Sequence, residues 1–205
     1  MFDPWTNKTN KFSMRRIHFL VLIILLFGCG KETAPAEPTA TLTPDETQGI
    51  QEELPGIPGF KKVEIRDAKE RIITTGYLLN GKKESSWVEY YPNDKLFKTL
   101  TTYSQGKKEG LAIEFNFNQI VRQYFYHNDL RHGEFKEYNG TNLKEIRYYE
   151  KGKQEGLTVL YYDSGPVMEE SYYKDGQRDG TSKWYDQKGK LTIEYDYKKG
   201  ELVKK

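Results

Sequence analysis

Few residues in this chain have the types and spacing that chemistry needs. The single cysteine, Cys29, follows Gly28 and the apolar run FLVLIILLF, Phe19 to Phe27, with Arg15 and Arg16 just upstream. With no second cysteine, no disulfide framework is possible, so the thiol is either modified or buried. His127 and His132 lie five residues apart across a predicted turn, and Asp129 and Glu134 beside them are oxygen donors. Such a set holds a metal only where the hairpin makes the donors converge, and solvated turn histidines are the simpler reading. No GxxxxGK[ST] loop and no serine in a nucleophile elbow is present. No catalytic residue, cofactor or metal is therefore expected.

The segment around Cys29 has the layout of an export signal. A basic stretch precedes a short apolar core and a small residue, and the core is too short for the about 20 residues that a spanning helix needs. Residues 1–28 are read as a signal peptide, with Met14 as an alternative start. Residues 29–59 hold five of the eight prolines, no aromatic residue and a charge of −5. That composition predicts an extended, disordered tether. Removing the leader, which carries +3, turns the formal charge of +2 into about −1, so nucleic acid is not an expected partner.

From Phe60 onward the character changes, since all sixteen tyrosines lie beyond position 76. Turn residues Gly81, Gly106, Asp129, Gly152, Gly176 and Gly200 recur at steps of 25, 23, 23, 24 and 24. A fixed period in the twenties marks a repeat array. Nine residues after each of the first five stands an aromatic: Tyr90, Phe115, Tyr138, Tyr161 and Tyr185. Three before each following turn is a tyrosine: Tyr103, Tyr126, Tyr149, Tyr173 and Tyr197. A second turn divides each unit at Pro92-Asn93-Asp94, Asn139-Gly140, Ser164-Gly165 and Lys188-Gly189. Turn chemistry every dozen residues, with β-branched and aromatic residues between, predicts hairpins rather than helices. The expected fold is all-β, an elongated single-sheet meander of repeated antiparallel β-hairpins over residues 60–205, with a worn first copy at Val63 to Asn80.

Two resemblances follow from these residues. LLFGC, Leu25 to Cys29, looks like the lipobox of bacterial lipoproteins, which implies cleavage before Cys29, lipid on its thiol and attachment to a membrane. Gly30 after the cysteine implies the outer membrane. Units such as GLTVLYYDSGPVMEESYYKDG, Gly156 to Gly176, resemble the MORN-repeat variant of bacterial proteins, a family that includes antitoxins. The resemblance covers about residues 70–201 and implies interaction or scaffolding; Ser85 and Asp129 depart from its glycines. It leaves three readings open: a lipid-anchored scaffold with an envelope protein partner, an immunity protein with a toxin partner, and a glycan or phospholipid binder.

Tyrosine ladders in a thin repeat sheet are expected to form its core. Tyr91, Tyr148, Tyr162 and Tyr172 adjoin ladder positions and so point to the opposite face, which makes them the candidate contact residues. The turn pairs, Lys82-Lys83 with Glu84 and Lys107-Lys108 with Glu109 among them, are expected to keep the sheet edge soluble, with anionic headgroups as the alternative ligand.

Overall fold

The computed structural model describes residues 49–92 and 96–203. Cys29, the leader, the tether as far as residue 48 and the turn at Asn93-Asp94 lie outside the described residues. Within them the chain is all-β and contains no helix. The first strands are β1 (Ile50–Glu53), β2 (Phe60–Arg66), β3 (Ile72–Leu79), β4 (Lys82–Tyr90), β5 (Phe97–Ser104) and β6 (Lys107–Asn116). They are followed by β7 (Gln119–His127), β8 (Leu130–Asn139), β9 (Asn142–Glu150), β10 (Lys153–Gln154) and β11 (Gly156–Tyr161). The last four are β12 (Val167–Lys174), β13 (Gln177–Tyr185), β14 (Leu191–Lys198) and β15 (Glu201–Leu202). All fifteen form one open antiparallel sheet in sequence order, with the short β10 pairing β9 just ahead of β11.

The sheet begins earlier than expected. β1 lies inside the segment read as tether and pairs residue by residue with β2, from Ile50 opposite Glu64 to Glu53 opposite Lys61. All four of its side chains are exposed, so main-chain pairing holds it rather than apolar burial. That is why IQEE carried no core signal in the sequence.

The hairpin turns explain the period. Asn80-Gly81, Gln105-Gly106, Asn128-Asp129, Lys151-Gly152, Asp175-Gly176 and Lys199-Gly200 all have positive φ at both residues, the type I′ geometry that matches the strand twist. Asp129, at φ 65°, adopts the same region as the glycines it replaces. Four residues after each of the first five turns the chain again takes positive φ, at Ser85, Gly110, Gly133, Gly156 and Gly180. There a bulge sets three residues against one on the preceding strand, as Lys108 pairs Tyr103 while Ala112 pairs Thr101. Thr102 fills that gap by donating its hydroxyl to the carbonyls of Glu109 and Leu111, at 2.6 and 2.8 Å.

Each turn is also bonded to the repeat before it. The amides of Gly106, Asp129, Gly152, Gly176 and Gly200 donate to the carbonyls of Lys83, Lys108, Arg131, Gln154 and Arg178 at 2.8–3.0 Å. The motif acid receives the neighbouring turn amide: Gln105 donates to Glu84, Asn128 to Glu109 and Asp175 to Glu155, at 2.8 to 2.9 Å. Lys199 donates to Asp179 at 3.3 Å. The acid of GKxEG is thus an inter-repeat clasp, not the edge charge expected from sequence.

In the first bulge the residue opposite is Gly76. A Cβ there would lie 2.2 Å from the ring of Trp87, which is only 4% exposed and donates its indole N–H to the Tyr77 carbonyl. Gly76→Ala is expected to destabilise the sheet by about 2–3 kcal/mol through overpacking. The drop in the urea midpoint measures it, and an unchanged midpoint would mean that Trp87 is free to move.

Candidate interaction face

In a single sheet, side chains alternate between two faces, and here the two faces are built differently. The first face carries Trp87, Ala112, Tyr124, Tyr126 and Phe135, all buried. Tyr124 stacks on Phe135 with centroids 5.8 Å apart, and Tyr126 and Tyr149 meet these rings edge-on. With no second layer above them, the rings are covered by long cationic side chains. Lys83 lies 4.4 Å above Trp87 and 4.9 Å above Tyr103. Arg131 spans Tyr124, Phe135 and Tyr149, and Arg178 spans Tyr173, Trp184 and Tyr197. Each contact of this kind contributes roughly 0.5–2 kcal/mol, more as the cation is desolvated. The second basic residue of the motif is a lid on the tyrosine ladder, so it is not available to anionic headgroups in the way the sequence suggested.

Farther along the same face the rings give way to Thr158, Ser171 and Ser182, all buried. Glu169 gathers donors there: Ser171 Oγ at 2.7 Å, Arg178 at 2.6 Å and the Trp184 indole at 3.0 Å. Both oxygens of Glu145 are held by Arg147. These carboxylates are structural partners of cations.

The opposite face holds two of the candidate residues, Tyr148 and Tyr172. Tyr148 and Tyr172 are 41% and 50% exposed. Tyr91 and Tyr162 are half-buried and serve the fold instead, donating their hydroxyls to the carbonyls of Phe115 at 3.2 Å and Tyr185 at 2.7 Å in the next repeat. Sequence reasoning placed all four alike by treating the two ladders as one face, whereas Tyr90 and Tyr161, three residues from Trp87 and Thr158, line the face opposite to them. It could not show that residues just past Tyr90 and Tyr161 enter the second turn.

A third exposed ring was missed. Phe125, 37% exposed, faces the bulge at His132 to Glu134, just as Tyr148 faces Glu155 to Leu157 and Tyr172 faces Asp179 to Thr181. The three occupy equivalent positions at steps of 23 and 24 residues, a spacing already visible in the sequence. Directly across from them stand Leu111, Glu134 and Leu157 on one face, which makes a strip from β6 to β12. Polar groups accompany the middle ring: the Tyr148 hydroxyl lies 3.5 Å from Glu134, which pairs with Lys136 at 2.6 Å. Two other cations along this side are paired, Lys153 with Asp175 and Lys198 with Asp179, each at 2.9 Å. Two shallow grooves of about 220 and 330 Å³ flank Tyr161 near the second-turn edge.

The histidines do meet, with ring centroids 5.7 Å apart. His127 Nδ1 lies 2.9 Å from Glu109, whose carboxyl is held below its ordinary range by the Asn128 amide first and His127 second. Among the described residues no group of three His, Cys, Asp or Glu has the arrangement a metal ion needs.

No known protein family matches the sequence, and no curated protein matches it either.

Burial first, and the neighbouring Glu114 carboxylate second, push the Tyr124 phenol up to about 12, from an ordinary 10.0. Its hydroxyl donates to Glu114 at 2.9 Å. A raised pKa favours the fold fully below the unfolded value, so this contribution is lost as pH climbs from about 10 through 12. The melting temperature is expected to fall across that range, and less steeply in Tyr124→Phe. Equal slopes in the two proteins would contradict the assignment.

Proposed function

We propose that this chain is a non-catalytic, membrane-anchored binding protein of the bacterial cell envelope, a scaffold that holds a macromolecule on the Phe125, Tyr148 and Tyr172 face. One observation carries the reading. The first face closes most of its aromatic rings under Lys83, Arg131 and Arg178 and leaves Tyr195 open at its end, whereas the second leaves three rings open at equivalent positions in successive repeats. Rigid rings with few rotatable bonds lose little entropy on contact, which is why exposed tyrosines favour recognition. The carboxylates of the first face are tied to cations, and the grooves beside Tyr161 are shallow, so the geometry favours contact over turnover.

The anchor in this reading is lipid on Cys29, supported by the sequence before it and the resemblance to the lipobox. Three acyl chains hold a protein firmly, since each buried CH₂ contributes about 0.8 kcal/mol. Gly30 favours the outer membrane.

Fractionation tests the anchor: Cys29→Ser is expected to move the chain from the membrane to the soluble fraction. A photoreactive side chain at position 148 or 172 tests the face. It is expected to crosslink to one discrete envelope component, while the same group at Tyr195, exposed on the other face, does not. Equal labelling from both faces would overturn the assignment.

A further inference from the structure

We infer that the aromatic row takes an extended, β-linked glycan strand of N-acetylated hexosamines, lying across the strands with sugar faces on Phe125, Tyr148 and Tyr172. This rests on the reading of the face as a binding surface and of Cys29 as its anchor. Three observations select the ligand.

The first is the period. The rings sit on β7, β9 and β12, with one strand between each pair, so they recur about every 10 Å at the usual spacing of strands. An extended β-linked glycan repeats its disaccharide at nearly that interval and presents the same apolar sugar face at each repeat. A linear array with a translational period fits a polymer with the same period, whereas a globular partner gains nothing from three identical steps. Sheet twist turns successive rings by roughly 40–50°, which a single flexible strand can follow and a flat crystalline surface cannot.

The second is charge. Lys136, Lys153 and Lys198 beside the row are neutralised by Glu134, Asp175 and Asp179. Lys174, two residues from Tyr172 on the same strand, is exposed without a carboxylate partner among the described residues, so a polyanion would find one open cation there rather than a row, while a neutral chain needs none. Between the rings, Glu134 and the Tyr148 hydroxyl offer an acceptor and a donor to sugar hydroxyls or acetamido groups.

The third is reach. From Cys29 to Gly49 the backbone spans at most about 70 Å, which allows the face to meet a glycan layer beside the membrane that holds the lipid.

The test is calorimetric titration of the full lipidated chain in detergent micelles with β-linked N-acetylglucosamine di-, tetra- and hexasaccharides. Affinity is expected to rise with length as a second and third ring are reached. It should fall roughly tenfold for each of Phe125→Ala, Tyr148→Ala and Tyr172→Ala, since ring contacts of this size are worth about one such factor. Tyr195→Ala, with its ring on the other face, is expected to bind as the parent does, and unchanged melting of each variant excludes unfolding. No binding, length-independent binding, or binding indifferent to the three rings overturns the glycan assignment. If glycans fail while crosslinking at 148 and 172 still yields one protein, the binding-face reading stands and the glycan is wrong. If both fail, the face reading falls with it.

Discussion

Everything in this sheet depends on one hydrogen-bonded joint, the seat of each type I′ turn on the repeat before it. The second turn residue gives its amide to a carbonyl two residues past the previous turn, and in most copies the first gives its amide to the motif acid. Turns are where a hairpin array would otherwise expose unpaired donors. Satisfying them from the neighbouring repeat fixes register and spacing together. A bulge follows four residues later because the strand must keep its pairing while its end is drawn toward the next turn.

A one-layer sheet has no opposing element to bury its apolar side chains, and this sheet supplies its own cover. Lysine and arginine stems lie across the rings with their charged ends over the aromatic faces, so the same residues exclude water and remain partly solvated. The cost of burying cations is offset by the aromatic quadrupoles and, at Arg147 and Arg178, by Glu145 and Glu169. Ser171 and Ser182 replace rings where the Glu169 network needs room, and Ser182 is left without a hydrogen-bond partner among the described side chains. Stability here is distributed over nearest neighbours, as expected of a repeat array.

The fold was legible because turn chemistry and period are local. Asn80-Gly81 and Asp175-Gly176 announce their geometry, and the recurrence of tyrosine fixes which strand face is lined. What the motif's charges do was not legible, because Glu109 and Arg131 act through contacts about twenty residues away along the chain. A lysine-glutamate pair looks like solvated surface until the next repeat is placed beside it. β1 escaped notice for the opposite reason, since an exposed four-residue strand leaves no apolar pattern. Of the candidate residues, Tyr148 and Tyr172 follow from alternation alone, whereas Tyr91 and Tyr162 adjoin a ladder on the other face and lie past the ends of their strands. Phe125 was hidden only by attention to tyrosine; its place in the period was already there.

The position four residues before the second residue of each turn differs widely between copies. It holds Tyr77, Thr102, Phe125, Tyr148, Tyr172 and Asp196, six residues in which size, polarity and charge all change. Ladder positions cannot vary so widely, because each ring must fit beneath a cation and beside the ring of the next copy. Thr102 turns back onto the bulge backbone at Glu109 and Leu111, and Tyr77 stacks on Phe60 with centroids 5.4 Å apart, so these two copies use the position for the fold. Exposed rings stand there in three consecutive copies, Phe125, Tyr148 and Tyr172, where Thr102 and Asp196 hold the same place in others. The exposure of these three rings is what the proposed contact surface would use.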